Sequence, residues 1–253
     1  TVITDCDHDN IEIEKKIFAD AGIEMELKHA ISEDEVIEQC QDAEILIVQY
    51  AKITRKVMEH CPRLKFVVRY GVGVDTIDVA AAAEFGVQIG NVPDYGMNEV
   101  ADHAIALALS MTREIVKMNQ FTKNEKWDYT KAIPIHRFSN LTVGVIGLGN
   151  VGSKVANACV DLGMDVYGYD PFISVEHAWV LSREVQRVGT LEDLCRGCDY
   201  LTVHVPSKAD TIGMISTEQI DLLQRSQNTT SLQLDALLRE RSAALYDLSL
   251  IHI

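Results

Sequence analysis

Val143-Gly144-Val145-Ile146-Gly147-Leu148-Gly149-Asn150-Val151-Gly152 is the stretch whose reading decides the fold. Its first half is an apolar, β-branched run of strand type. The glycines then stand as G-x-G-x-x-G ahead of a helical pattern over 152–163. Each glycine answers a separate need. Gly147 permits a tight turn, Gly149 lets backbone approach a pyrophosphate, and Gly152 lets the helix lie close on the strand with its first N–H groups facing phosphate charge. Eighteen residues beyond Gly152, the next strand candidate, 166–169, ends in Asp170. A carboxylate there accepts hydrogen bonds from both adenosine ribose hydroxyls and repels a 2′-phosphate, which selects NAD over NADP. The alternative is that the glycines only make a tight turn; the order strand, glycines, helix, strand, acid argues against it.

Working outward, the second half of the chain reads as strand 142–146, helix 152–163, strand 166–169, a short helix 191–195 and strand 200–205. Upstream, 98–122 reads as one long helix rich in Ala and Leu, with Asn98 as N-cap and Glu99 in the first turn, joining two domains. The stretch 124–139, with Trp127, Tyr129 and Pro134, lacks a period and reads as loop. Residues 1–90 alternate strand candidates (2–4, 24–28, 45–48, 66–69, 87–89) with helix candidates (11–21, 33–41, 54–60, 76–85). Such alternation implies two α/β domains with parallel sheets, over 1–97 and 98–253.

Length and composition agree. At about 150 residues per domain, 253 residues make one large domain or two modest ones. Lys and Arg number 23 against 38 Asp and Glu, a net charge of −15, and the first fifty residues alone hold three basic and fourteen acidic side chains. Nucleic acid is therefore not an expected partner, since phosphate contacts need a basic footprint. No apolar run reaches the ~20 residues of a membrane span, and the opening Thr-Val-Ile-Thr-Asp is unlike a secretory signal. With six scattered cysteines read as free thiols, a cytoplasmic protein is expected.

Further segments add a resemblance: Val68-Arg69-Tyr70-Gly71-Val72-Gly73-Val74-Asp75-Thr76-Ile77-Asp78, Asn91-Val92-Pro93, Glu99-Val100-Ala101-Asp102, the glycine motif, and Val203-His204-Val205-Pro206. From about Val67 to Leu223 the chain resembles the NAD-dependent D-2-hydroxyacid dehydrogenases, with features of their phosphoglycerate dehydrogenase and C-terminal-binding-protein branches. The resemblance implies a flavodoxin-like substrate domain followed by a Rossmann NAD-binding domain. It implies that Arg69, Tyr70, Gly71 and Val72 wall the substrate cleft, with N–H groups of Tyr70, Gly71 and Val72 on the substrate carboxylate. A Gly-rich turn after a strand can aim N–H groups at an anion; a plain turn with Asp75 capping the next helix is the alternative reading. It further implies cofactor contacts from Val100, from the loop residues Gly147, Gly149, Asn150, Val151 and Gly152, from Asp170 and Pro171, and from His204, Val205 and Pro206 on the adenine side. His204 can equally be a core histidine with one satisfied ring nitrogen. The substrate implied is a 2-hydroxy or 2-oxo acid such as 3-phosphoglycerate, and the full-length protein is expected to be a homodimer. A module of the C-terminal-binding-protein type, sensing NAD and recruiting protein partners, is the rival.

Family catalysis uses an Arg, a His and a Glu, and this chain offers none in the expected context. The place of the family's Asn-Thr-Ala-Arg-Gly run reads Asn228-Thr229-Thr230-Ser231-Leu232. The Rossmann domain is therefore expected to be incomplete after about residue 224, and the chain an inactive fragment. Leu248-Ser249-Leu250-Ile251-His252-Ile253 can be encoded as CTG TCT CTT ATA CAC ATC, like a sequencing-adaptor end, so these residues are expected to be non-biological. Cys195-Arg196-Gly197-Cys198 has no second ligand pair and reads as structural; no metal site is expected. Glu33-Asp34-Glu35 reads as the first turn of a helix starting after Ser32.

Overall fold

The computed structural model describes residues 1–223 apart from Glu125, Lys126, Ser207 and Ala209. The readings made above for 224–253, including the incomplete domain end and the Asn228–Leu232 substitution, lie outside the described residues. The chain divides into two compact units, Thr1–Tyr95 and Gly96–Ile253, where the sequence placed a boundary after residue 97.

In the first unit the elements run β1 (Val2–Ile3), α1 (Glu12–Asp20), β2 (Glu26–Leu27), α2 (Glu33–Cys40), β3 (Ile45–Val48), α3 (Arg55–His60), β4 (Phe66–Arg69), α4 (Val79–Phe85) and β5 (Gln88–Gly90). The strands pair in the order β2-β1-β3-β4-β5, all parallel, the flavodoxin-like order. The two-residue period of β3 divides its side chains between the sheet's faces. Leu46 and Val48 join Val36, Val57 and Val67 in one core cluster, while Ile47 joins Ile3 and Ile11 in another. Helix α2 begins as expected after Ser32. Ser32 Oγ accepts from Glu35 N–H, and the Glu35 carboxylate accepts from Ser32 N–H at 2.9 Å, a capping box. Helix α4 is capped by Asp78, which accepts from Ala81 N–H at 2.9 Å, and not by Asp75. The turn after β4 runs on past Asp75 before the helix starts, so the cap falls three residues later.

In the second unit come α5 (Met97–Thr112), α6 (Ile115–Lys123), short 3-10 turns at Tyr129–Ala132 and Phe138–Asn140, β6 (Thr142–Ile146), α7 (Asn150–Asp161), β7 (Asp165–Tyr169), α8 (Val175–Val180), β8 (Gln186–Arg187), α9 (Leu191–Gly197), β9 (Tyr200–Val203) and α10 (Thr217–Leu222). The strands pair in parallel as β8-β7-β6-β9, the order of the first four strands of a doubly wound dinucleotide fold. Ala101, Ile105 and Leu109 of α5 pack with Val155, Ala156 and Cys159 of α7 over β6.

The helix expected over 98–122 is broken. Thr112 donates its hydroxyl to Ala108 C=O at 2.7 Å, and Glu114 takes a left-handed backbone (φ 54°), which restarts the chain as α6. Gly96, not Asn98, holds the N-cap position. A one-residue change of backbone hand leaves no mark in hydrophobic periodicity. Among the described residues no helix is long and apolar enough to cross a membrane.

Candidate functional site

Strands β7, β6 and β9 lie side by side, and the chain leaves the carboxyl end of each through a segment marked in the sequence. After β6, Gly147 turns with φ 83°; its N–H donates to Tyr169 C=O at 2.9 Å. A Cβ on Gly147 would stand 2.9 Å from the His204 carbonyl and 2.8 Å from Val205 Cγ1, so the loops after β6 and β9 are in van der Waals contact. A Cβ on Gly152 would meet Gly147 O at 1.8 Å. Only glycine lets α7 begin so close to the turn that precedes it. Gly149 differs, since a Cβ there meets nothing within 4 Å.

Helix α7 has no side-chain N-cap. Its first internal bond is Ser153 N–H to Gly149 O at 3.0 Å, and among the described residues the N–H groups of Gly149, Asn150, Val151 and Gly152 have no acceptor. The outcome is a set of backbone donors at the positive end of a helix, with open space beside Gly149. Two groups hold the loop in this shape. Asp170 Oδ2 accepts from Leu148 N–H at 2.8 Å and Oδ1 from Phe172 N–H at 2.9 Å, leaving one further lone-pair direction on each oxygen. Ser153, buried beneath the loop, donates to Leu148 C=O at 2.6 Å. The Ser153 contact was not legible in the sequence, where it reads as one more small polar residue.

His204 continues the sheet, its N–H donating to Ile146 C=O at 2.8 Å, and its Nε2 lies 2.8 Å from Thr202 Oγ1. Pro171 and Pro206 are exposed beside the loop, and Val100 is half-buried in the first turn of α5. Cys195 and Cys198 are fully buried; burial pushes the Cys198 thiol up to about 12, with Cys195 beside it adding to the shift. The Cys198 sulfur lies against Gly144 of β6, where a Cβ would come within 2.8 Å of it, so both cysteines are core side chains.

The turn Arg69–Val74 belongs to the first unit, and its donors are less available than the sequence suggested. Tyr70 N–H extends the β3–β4 ladder to Val48 C=O at 2.8 Å, and Gly71 N–H closes on Arg69 C=O at 2.9 Å. Of the three N–H groups expected to face an anion, only that of Val72 is left without an acceptor among the described residues. Arg69 donates from Nη1 to Gly73 C=O at 2.7 Å and lies 3.6 Å from Asp75, so it braces the turn. The Tyr70 hydroxyl donates to Glu14 at 2.9 Å; burial, then that bond, holds its proton well above the usual phenol range. Beneath these loops Asp5, almost fully buried, accepts from the N–H groups of Gln49, Tyr50 and Ala51 at 2.6–3.3 Å. Asp5 therefore fixes the loop after β3; nothing in its sequence context pointed to it.

Residues 2–238 match the family model described as D-isomer specific 2-hydroxyacid dehydrogenase, catalytic domain. The chain belongs to that family. Its relatives include a D-3-phosphoglycerate dehydrogenase of Methanocaldococcus jannaschii, 36% identical over 233 residues, covering 92% of this chain and 43% of that protein. Another, from Archaeoglobus fulgidus, is 37% identical over 204 residues, covering 80% and 38%. The chain thus spans less than half the length of these relatives. Among solved structures, a D-lactate dehydrogenase from Aquifex aeolicus complexed with NAD and lactic acid superposes with a TM-score of 0.80 at 24% identity, over 96% of this chain and 73% of that one. An acyclic imino acid reductase in complex with NADPH and D-Arg gives 0.76 at 23%, over 88% and 71%. At these identities the likeness is one of fold, and it extends over residues of both units.

Proposed function

We propose that the second unit is an NAD(H) site and that the protein this chain represents transfers hydride between NAD and a small 2-hydroxy acid, 3-phosphoglycerate being the substrate its relatives suggest. The observation that carries the reading is the row of N–H groups of Gly149, Asn150, Val151 and Gly152 without acceptors, opening where a Gly149 Cβ would meet nothing. A pyrophosphate fits that donor set. The two lone-pair directions left on Asp170 suit two ribose hydroxyls, and its charge disfavours a 2′-phosphate. Pro171, His204, Val205 and Pro206 would flank the adenosine half, and Val100 the nicotinamide. When bound, NAD supplies the hydride acceptor.

For the substrate, the Val72 N–H and the neighbouring Gly73 would meet a carboxylate, with Arg69, Tyr70 and Gly71 holding the turn in place. Full-length copies would associate through α5, α6 and the aromatic stretch that follows, where Trp127 is 89% exposed and Leu107, Ile115 and Val116 are also on the surface. All six cysteines are free, which suits a reducing compartment such as the cytoplasm.

Turnover needs a base for the hydroxyl proton and a cationic clamp for the product carbonyl. Asn228-Thr229-Thr230-Ser231-Leu232 offers no arginine at the family's position, and no later His stands in the family's context. These 253 residues by themselves should therefore give no nicotinamide absorbance change with 3-phosphoglycerate, glycerate or lactate. Replacing 224–253 by the corresponding segment of the Methanocaldococcus jannaschii relative should confer 3-phosphoglycerate-dependent NAD reduction. Turnover by the unaltered chain would refute the catalytic part of the proposal. A chimera that binds NADH yet oxidises no 2-hydroxy acid would favour the protein-interaction alternative.

A further inference from the structure

One chain of side chains in the second unit has no part in the reading above. It links α8 to the mouth of the glycine loop. His177 Nε2 lies 2.8 Å from Asn150 Oδ1, and His177 Nδ1 lies 3.0 Å from Ser174 Oγ. An amide oxygen only accepts, so Nε2 carries the hydrogen and donates. Ser174, the N-cap of α8, accepts from His177 N–H at 3.2 Å, and its hydroxyl also faces the Glu176 carboxylate. Both ring nitrogens of His177 therefore have a partner.

The Asn150 contact is not the only tie between α8 and α7. Asn157, two turns further along the same face of α7, makes another with its own amide. Its Nδ2 donates to Val180 C=O at 2.9 Å, and its Oδ1 accepts from Ser182 N–H at 2.8 Å. The His177 contact also decides which end of the Asn150 amide faces outward. Asn150 is the exposed first residue of α7. With Oδ1 held by the imidazole, the Nδ2 amine is the free end, and among the described residues it has no acceptor. Asn150 adjoins Gly149 and Val151 in the chain, so its amine adds a donor to the end of α7 where the N–H groups of Gly149, Val151 and Gly152 are also without acceptors among the described residues. An unheld amide would flip and turn lone pairs toward an anion for part of the time.

We infer that His177 is a positioning residue for the dinucleotide pyrophosphate, acting through Asn150; the inference rests on the NAD(H) reading of this unit. The test is a titration of the 253-residue chain and its His177→Ala, His177→Gln, Asn150→Ala and double Ala variants with NADH, ADP and adenosine, with thermal melting as a check on folding. His177→Ala should weaken NADH and ADP by about threefold to tenfold and leave adenosine within about twofold, because only the first two carry the diphosphate. In the Asn150→Ala background it should have no further effect. His177→Gln, which keeps an N–H donor, should recover most of the affinity and keeps the test open should His177→Ala fold poorly. Unchanged NADH and ADP binding in folded His177→Ala overturns the inference alone. So does a loss that extends equally to adenosine, or one that persists in the Asn150→Ala background. No NADH binding by the unmutated chain overturns the underlying reading and this inference with it.

Discussion

Each unit carries a glycine-rich turn after a central parallel strand, and the two use their backbone differently. The turn after β4 has most of its donors taken, the Val72 N–H excepted: Tyr70 N–H goes to Val48, Gly71 N–H to Arg69, and the Arg69 guanidinium closes over Gly73 C=O. Its helix begins only at Val79, capped by Asp78. The turn after β6 runs straight into α7 with no side-chain cap, so the donors of the helix's first turn stay open while Asp170 and Ser153 fix the loop from outside and below. Glycine content alone does not make an anion site. What decides is whether a helix starts at once and whether anything nearby already takes its N–H groups.

The contrast is most sharply tested by adding a methyl group to each turn. Gly152→Ala puts a Cβ against Gly147 O, a backbone atom with no room to retreat, and should cost the second unit about 3 kcal/mol or more in denaturant unfolding along with NADH binding. Gly73→Ala meets chiefly the Asp75 carboxylate, the end of an exposed side chain that can rotate away, and should cost under about 1 kcal/mol. Comparable losses at the two positions would erase the distinction.

Gly149→Ala separates folding from binding. With nothing near the added Cβ, stability should change by only about 0.5 kcal/mol, while NADH affinity falls at least about tenfold because the methyl occupies space the cofactor needs. Unchanged affinity would mean that the open space at Gly149 is not where the dinucleotide lies.

The smallest effect belongs to the turn after β4. Arg69→Met removes the brace on Gly73 C=O and should destabilise the first unit by about 1 kcal/mol, with NADH affinity held within about twofold. A large loss of NADH affinity would tie this turn to the cofactor.

These differences show where sequence pattern stops being informative. Strands β3, β4 and β6 fall on the residues that apolar runs predict, because buried parallel strands are written as continuous apolar segments. The glycine loop was legible because the backbone itself demands glycine at Gly147 and Gly152. β8, α8 and α10 carry neither a continuous apolar run nor enough residues for a helical period to register. The break at Glu114 depends on one backbone angle. The availability of the Tyr70 N–H depends on strand pairing with Val48 across more than twenty residues of sequence, and the partners of Asn150 and Asp5 depend on tertiary placement, which no single-sequence spacing encodes.

The central claim is that the open donors after β6, with Asp170 beside them, form a site for NAD(H). Titrating the 253-residue chain with NADH and NADPH, followed by calorimetry, tests it most directly. Saturable NADH binding at least about tenfold tighter than NADPH, roughly 1.4 kcal/mol, is the expected result, and Asp170→Ala should shrink that preference. Equal affinity for the two, or no saturable binding of NADH, would contradict the account.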